Sequence, residues 1–189
     1  LPALQTAQIR LRQPEPGAAA AAQTYAAGTI RLIEPDGLVQ AAMLPNDPGI
    51  TDQRKVYAPE LLGLFAGWEY TTGDRGITIA VLDSGIDTTH PEFADRLLPG
   101  YDFVHRDDDP QDENGHGTHV AGIIGAQINN KLGVAGVCAH CSLLPVRVLN
   151  AQNIGSWMNV AQGVIFATDH GARVIVMSLG STVYSQTIK

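Results

Sequence analysis

At 189 residues, with 44% apolar and 16% charged side chains, the chain has the size and balance of one globular domain or slightly more, enough to bury a sizeable core. Its 19 acidic against 12 basic residues give a formal charge of -7, which leaves no basic excess for a phosphate backbone and argues against a nucleic-acid partner. No apolar run reaches the roughly 18 residues that cross a bilayer, so no membrane span is expected.

Residues 1–28 are rich in alanine, glutamine and proline with little periodicity, which predicts a poorly ordered or partial segment. Between Thr29 and Met43 the runs TIRLIE and LVQAAM flank Pro35, Asp36 and Gly37, a turn tripeptide that predicts a short hairpin. The string Pro45, Asn46, Asp47, Pro48 is the strongest break, so the expected division is 1–44 and 45–189. Beyond it, Pro59 suits a first helical turn and Leu61, Leu62, Leu64, Phe65 and Trp68 recur at helical spacing. A turn at Thr72–Gly76 precedes ITIAVLD, a near-continuous apolar run of the kind buried on both faces of a parallel sheet.

A second helix is predicted from about His116 to Asn129, with Val120, Ile123, Ile124 and Ile128 inward and Gly122 and Gly125 permitting close approach. The strand LLPVRVL follows, then a helix from about Ser156 to His170 with Trp157, Val160, Val164 and Ile165 inward, Gly171 as its stop, and the strand VIVMSLG. Alternation of this kind predicts an α/β fold with a doubly wound parallel sheet and right-handed crossovers. In such sheets function collects at the carboxyl ends of the strands, where Asp83, His116 and Ser178–Gly180 fall.

The only cysteines, Cys138 and Cys141, have a spacing open to a metal half-site, a redox pair or a small disulfide loop. A four-ligand zinc site needs a second pair, and a thioredoxin-type motif opens a helix whereas this one precedes a strand. A local disulfide is the expectation.

Serine hydrolysis needs a base near working pH and a carboxylate that fixes its tautomer. His116 at a helix mouth would have its cation disfavoured by the dipole, and Asp83 nearby would favour it. The plainer reading makes Asp83 a strand-end turn residue and His116 a first-turn helix residue. His116 and His119, three apart, would also share a helical face as metal ligands, but no glutamate lies between them as a zinc protease motif requires.

The strings VLDSGID, HPEF, NGHGTHVAGIIGA, NNKLGVAGV, LLPVRVL and VIVMSLG, in this order, resemble the amino-terminal half of a subtilisin-like serine protease domain of the thermitase-like kind, over about Pro45 to Lys189. The order Asp then His is the one described for subtilisin itself. The resemblance implies a serine endopeptidase acting on polypeptide substrates, with Asp83 orienting His116 and His116 relaying the serine proton to the leaving amine. It implies that Ser178, Leu179 and Gly180 offer backbone groups to an extended substrate, with Asn153–Ser156, and Gly155 and Ser156 in particular, on the opposite edge.

The resemblance further implies structural calcium. Ile128, Asn130, Leu132 and Val134 match the family's calcium loop, with Glu92 where an aspartate is usual and Asp47 as an amino-terminal ligand. Asp102, Asp107, Asp109 and Gln111 fall where thermitase-like members hold a second calcium, although His105 replaces an aspartate there. Residues 29–43 resemble the tail of a propeptide, and secretion is the expected route.

In this family the catalytic serine sits in a GTSMA-like string, preceded by an oxyanion asparagine. Ser84, Ser142, Ser156, Ser178, Ser181 and Ser185 have no such surroundings, and no GxSxG elbow occurs. The expectation is an incomplete domain that is inactive alone, with the carboxyl-terminal half of the catalytic domain as its partner, exposed apolar surface and poor solubility. A noncatalytic calcium-binding pseudoprotease or interaction module is the competing expectation.

Overall fold

In a computed structural model, which describes residues 45–51 and 58–182, the run TIAVLD forms the central strand β1 (Thr78–Asp83) because both its faces find partners. Side chains alternate across a strand. Ile79 and Val81 therefore pack on one face with Val120, Ala121 and Leu143, while Ala80 and Leu82 pack on the other with Leu144, Val146, Val160 and Ala167. Each fully buried Val or Leu contributes roughly 1.5–3 kcal/mol relative to exposure, so this strand anchors both layers.

The described elements run α1 (Pro48–Thr51), α2 (Ala58–Leu61), α3 (Leu64–Trp68), β1, a 3-10 turn at Pro91–Phe93, β2 (Tyr101–Asp102), α4 (His116–Gly125), β3 (Ser142–Arg147), α5 (Trp157–Asp169) and β4 (Val174–Val176). The four strands form one parallel sheet in the order β2-β3-β1-β4. Helix α4 covers one face and α5 the other, as a doubly wound arrangement requires. The register pairs Asp83 with Arg147 and Arg147 with Asp102, so three ionisable side chains leave the sheet at the same level of its carboxyl edge.

Several boundaries differ from expectation. The helix read over Pro59–Trp68 breaks at Gly63, whose φ of 66° separates α2 from α3, and Leu61 and Leu62 face outward. Helix α4 stops at Gly125, because Ala126 turns to extended backbone and Asn129 and Lys131 adopt left-handed conformations in the loop beyond. Ile128 is nevertheless buried, in a separate cluster with Trp68 and Ala139, whereas Ile123 is exposed. Helix α5 keeps its expected limits: Ser156 Oγ accepts from Asn159 N at 3.1 Å, and Gly171 follows at φ 75°. Ile165, expected inward, is exposed, as are Ile154, Met158, Val174 and Met177. Strand β4 is only three residues long, and Met177–Gly180 continue outside it. The hairpin and propeptide-like tail expected at 29–43 lie outside the described residues, as does the whole of the expected 1–44 segment.

Candidate active site

β1 delivers Asp83 to the carboxyl edge, and its exit is held by the Asp83 carbonyl, which accepts from Val148 N at 2.8 Å and Leu149 N at 3.1 Å. The carboxylate is fully buried. Its Oδ1 accepts from Ser84 N at 2.7 Å and lies 2.7 Å from His116 Nδ1, 33 residues away in sequence. A ring nitrogen facing a carboxylate at this distance carries the proton, which leaves Nε2 as the acceptor in the neutral ring. The His116 side chain is 35% exposed, open enough to meet a reactant. Asp83 Oδ2 is buried with no hydrogen-bond partner, so the imidazole is the main group opposite this charge. The approach of α4 to β1 depends on Gly117: a Cβ there would stand 2.1 Å from the Gly85 carbonyl oxygen and 3.1 Å from Asp83 Cβ.

The first turn of α4 has a complete set of acceptors for its otherwise unpaired N–H groups. Gly115 N reaches Asp112 Oδ1 at 2.9 Å, His116 N reaches Asn114 Oδ1 at 3.3 Å, Gly117 N reaches Ser84 Oγ at 2.9 Å and Thr118 N reaches Asp112 Oδ2 at 2.9 Å, after which His119 N starts the helical ladder on Gly115 O at 3.0 Å. Asp112 also accepts from Asn114 N, Thr118 Oγ1 and Ser84 Oγ. Burial works to raise its carboxyl, but the bonds from Thr118, Gly115 and Asn114 outweigh that and hold it below the ordinary aspartate value. Sequence reading passed over Asp112; the signal was an aspartate just ahead of the Asn114-Gly115 turn.

Ser178, Leu179 and Gly180 lie across a cleft of about 410 Å³ from Asn153, Gly155 and Ser156, so both expected edges line one space. Leu149, Trp157 and Val160 add apolar lining and were missed, Leu149 having been read only as a strand residue and Trp157 and Val160 only as inward helix residues. Gly155 bridges to Leu149, and a Cβ there would stand 2.4 Å from Val148 O. A depression of similar size, about 440 Å³, lies beside Phe166 and His170; neither it nor the cleft is lined by Asp83 or His116.

The expected first calcium ligands converge in part. Asp47 is fully buried and accepts from Asn129 N at 2.8 Å and Asn130 N at 3.0 Å. Glu92 Oε2 accepts from Asn130 Nδ2 at 2.8 Å and Gln127 N at 3.1 Å, while Glu92 Oε1 is buried with no hydrogen-bond partner. Oε1 faces Gly133, where a Cβ would come within 2.3 Å of it. Two buried carboxylates, one with an orphaned oxygen against a loop carrying Ile128, Leu132 and Val134 carbonyls, fit a hard oxygen-seeking cation. The structure thus offers Glu92 toward the loop despite its longer arm.

The second set does not fit. Asp102 Oδ2 is 3.3 Å from Arg147 Nη1 and 3.0 Å from His105 Nδ1, and its Oδ1 accepts from Val104 N and His105 N. Asp107 accepts from Asp109 N, and Gln111 Oε1 accepts from Thr88. The Arg147 guanidinium already meets the Asp102 charge, and no calcium role is derived for Asp102, Asp107, Asp109 and Gln111. Among the described residues no three His, Cys, Asp or Glu side chains gather as a metal group, and exposed His119 joins none.

Arg147 itself was read only as a strand residue. It is 2% exposed, and it also donates to Gln111 O at 3.1 Å and pairs with Glu113 at 2.6 Å, tying the loop ahead of His116 to β3. Cys138 and Cys141 are joined in a disulfide with Cα atoms 5.4 Å apart. It packs beside Gly73, and the intervening His140 meets Thr72 Oγ1 at 2.6 Å.

Comparison with known proteins places these features in one family. The subtilase family profile matches residues 74–189. A thermophilic serine proteinase of Bacillus sp. strain AK1 is 41% identical over 85% of this chain and 39% of its own length. Thermitase of Thermoactinomyces vulgaris is 43% identical over 74% of this chain and 49% of its own. The chain therefore spans less than half the length of these two relatives. Among solved structures, a protease of Pseudoalteromonas arctica superposes with a TM-score of 0.66 at 34% identity, covering 77% of this chain and 53% of that one. A cold-adapted subtilisin-like serine proteinase gives 0.53 at 37% identity, over 63% and 42%. The incomplete α/β fold is subtilisin-like, and the chain belongs to the subtilase family.

Proposed function

We propose that this protein is the front part of a serine endopeptidase, in which Asp83 orients His116 as general base. The observation that carries the reading is the 2.7 Å contact between His116 Nδ1 and a fully buried Asp83 carboxylate at the carboxyl edge of the sheet. With Nδ1–H held, Nε2 takes the proton of a serine hydroxyl as its oxygen attacks the peptide carbonyl, and the resulting imidazolium faces the Asp83 charge. The proton then passes to the leaving amine as the C–N bond breaks, and water regenerates the serine through the same base. The serine and the oxyanion asparagine are supplied from outside residues 1–189, so the chain alone is inactive. An extended peptide is held between Ser178–Gly180 and Asn153–Ser156, where backbone bonds are common to every sequence and the apolar lining adds selectivity.

Calcium is the structural cofactor of this reading. Asp47, Glu92 and Asn130 side chains and the carbonyls of Ile128, Leu132 and Val134 would hold it, and the ion would neutralise two buried carboxylates while joining the amino-terminal segment to the loop after α4. Secretion is proposed with it, supported by a disulfide of the kind that persists in oxidising compartments.

Treating the full gene product with a fluorophosphonate, then mapping the adduct, tests the catalytic reading. The expected adduct falls on a serine beyond Lys189 and is lost in His116→Ala. An adduct on any serine within residues 1–189, or labelling unchanged in His116→Ala, overturns it.

A further inference from the structure

We propose that Asp112 is the positioning residue of the Asp83–His116 pair, a single carboxylate that grips both arms of the site at once. The inference rests on the reading of that pair as orienter and base. Asp83 and His116 come from elements separated by a long loop, and the 2.7 Å contact persists only if the end of β1 and the start of α4 are locked together.

Asp112 supplies the lock through both oxygens. Oδ1 accepts from Ser84 Oγ at 2.9 Å, and Ser84 is the residue whose N–H bonds the Asp83 carboxylate. The same Oδ1 accepts from Asn114 N and Gly115 N, each at 2.9 Å, which shapes the turn immediately before His116. Oδ2 accepts from Thr118 N at 2.9 Å and Thr118 Oγ1 at 2.6 Å, two residues into the helix. Thr118 Oγ1 in turn accepts from Asp87 N at 2.9 Å, and Ser84 Oγ accepts from Gly117 N at 2.9 Å. His116 is thus bracketed on both sequence sides by donors to one carboxylate, which also holds the neighbour of its partner.

The shape of the network explains why an ionised carboxylate stands here. Five donors converge on two oxygens, a number only a fully deprotonated group accepts, and charge-assisted bonds of this kind are shorter and stronger than neutral ones. An aspartate at the mouth of a helix also faces the positive end of its dipole. Asp112 touches no reacting atom; it acts through the geometry of Ser84 and of the first turn of α4.

The test is the hydrogen-bonded Nδ1–H proton of His116, followed by NMR in the full gene product. Wild type is expected to show a downfield Nδ1–H resonance, and Asp83→Asn is expected to abolish it. Asp112→Asn, which keeps the shape but presents an NH2 to the donors, is expected to broaden that resonance beyond detection. Asp74→Ala, which removes a comparable turn bond from Gly76 N far from the pair, is expected to leave the resonance unchanged. If Asp112→Asn does not fold, Ser84→Ala decides, because it cuts the link from Asp112 to β1, together with the bond from Gly117 N, and leaves the other four bonds to Asp112 in place. A His116 resonance as in wild type in a folded Asp112→Asn, or in Ser84→Ala when Asp112→Asn is unfolded, overturns the positioning role. No effect of Asp83→Asn overturns instead the pairing on which it rests.

Discussion

Replacing Arg147 by leucine should be among the most damaging single changes outside the apolar core. The guanidinium is 2% exposed and faces Asp102, which is fully buried, at 3.3 Å. Removing one partner of a buried pair typically costs about 3–5 kcal/mol, because the other charge stays behind without compensation. Here two backbone N–H groups and His105 still serve Asp102, which favours the lower end. Against that, the Gln111 carbonyl loses a donor, worth about 1 kcal/mol. The pair with Glu113, itself half exposed, adds little. About 3–4 kcal/mol is therefore expected, a large part of the roughly 5–15 kcal/mol by which domains are stable. Urea unfolding followed by the fluorescence of Trp68 and Trp157 measures it. Asp102→Asn should cost less, and the double variant should be less destabilised than the sum of the two. A loss below about 1 kcal/mol for Arg147→Leu, or strict additivity in the double variant, would refute the argument that a buried charge is stranded.

Three further outcomes follow from the same geometry. Calcium at 100 times its dissociation constant should stabilise the protein by about 2.7 kcal/mol, raising its melting temperature by roughly 5–10 °C; Glu92→Ala should remove most of that shift, and an unchanged melt at millimolar calcium would count against the site at Asp47 and Glu92. Gly117→Ala should break the approach of α4 to β1, since its Cβ would overlap the Gly85 carbonyl, and the His116 Nδ1–H resonance should vanish even where the helix survives by circular dichroism. Because the donors around Asp112 hold its folded carboxyl below the ordinary value, its contribution to stability is fully present above the ordinary aspartate range and is lost as pH falls through the folded value. The stability gap between wild type and Asp112→Asn should accordingly be constant near neutrality and close in acid; a gap that widens in acid would reverse the assigned direction.

The central strand was legible because its apolar run is continuous, and the limits of α5 were legible because Ser156 and Gly171 are local signals. The end of α4 was not: Ile128 kept the helical rhythm, yet it is buried by a separate cluster around Trp68, 60 residues earlier, after the chain has left the helix. Leu61 and Leu62 misled in the opposite sense, since spacing marks a stripe without saying whether anything covers it.

The candidate site divides in the same way. Local strings put Asp83, His116 and Ser178–Gly180 at strand ends and a helix mouth, because such positions are written in neighbouring residues; the opposite edge at Asn153–Ser156 and the loop at Ile128–Val134 came only from the family resemblance. Which side chains balance one another was decided only by the fold. Asp102 looked like a cation ligand within its acidic run, but the register of β2 against β3 sets it beside Arg147, which meets its charge directly. Asp112 looked like one more acidic loop residue until the packing of α4 on β1 brought Ser84 to it. Electrostatic compensation and hydrogen bonding act through space over a few ångströms, so their partners, unlike caps and turns, have no fixed distance along the chain.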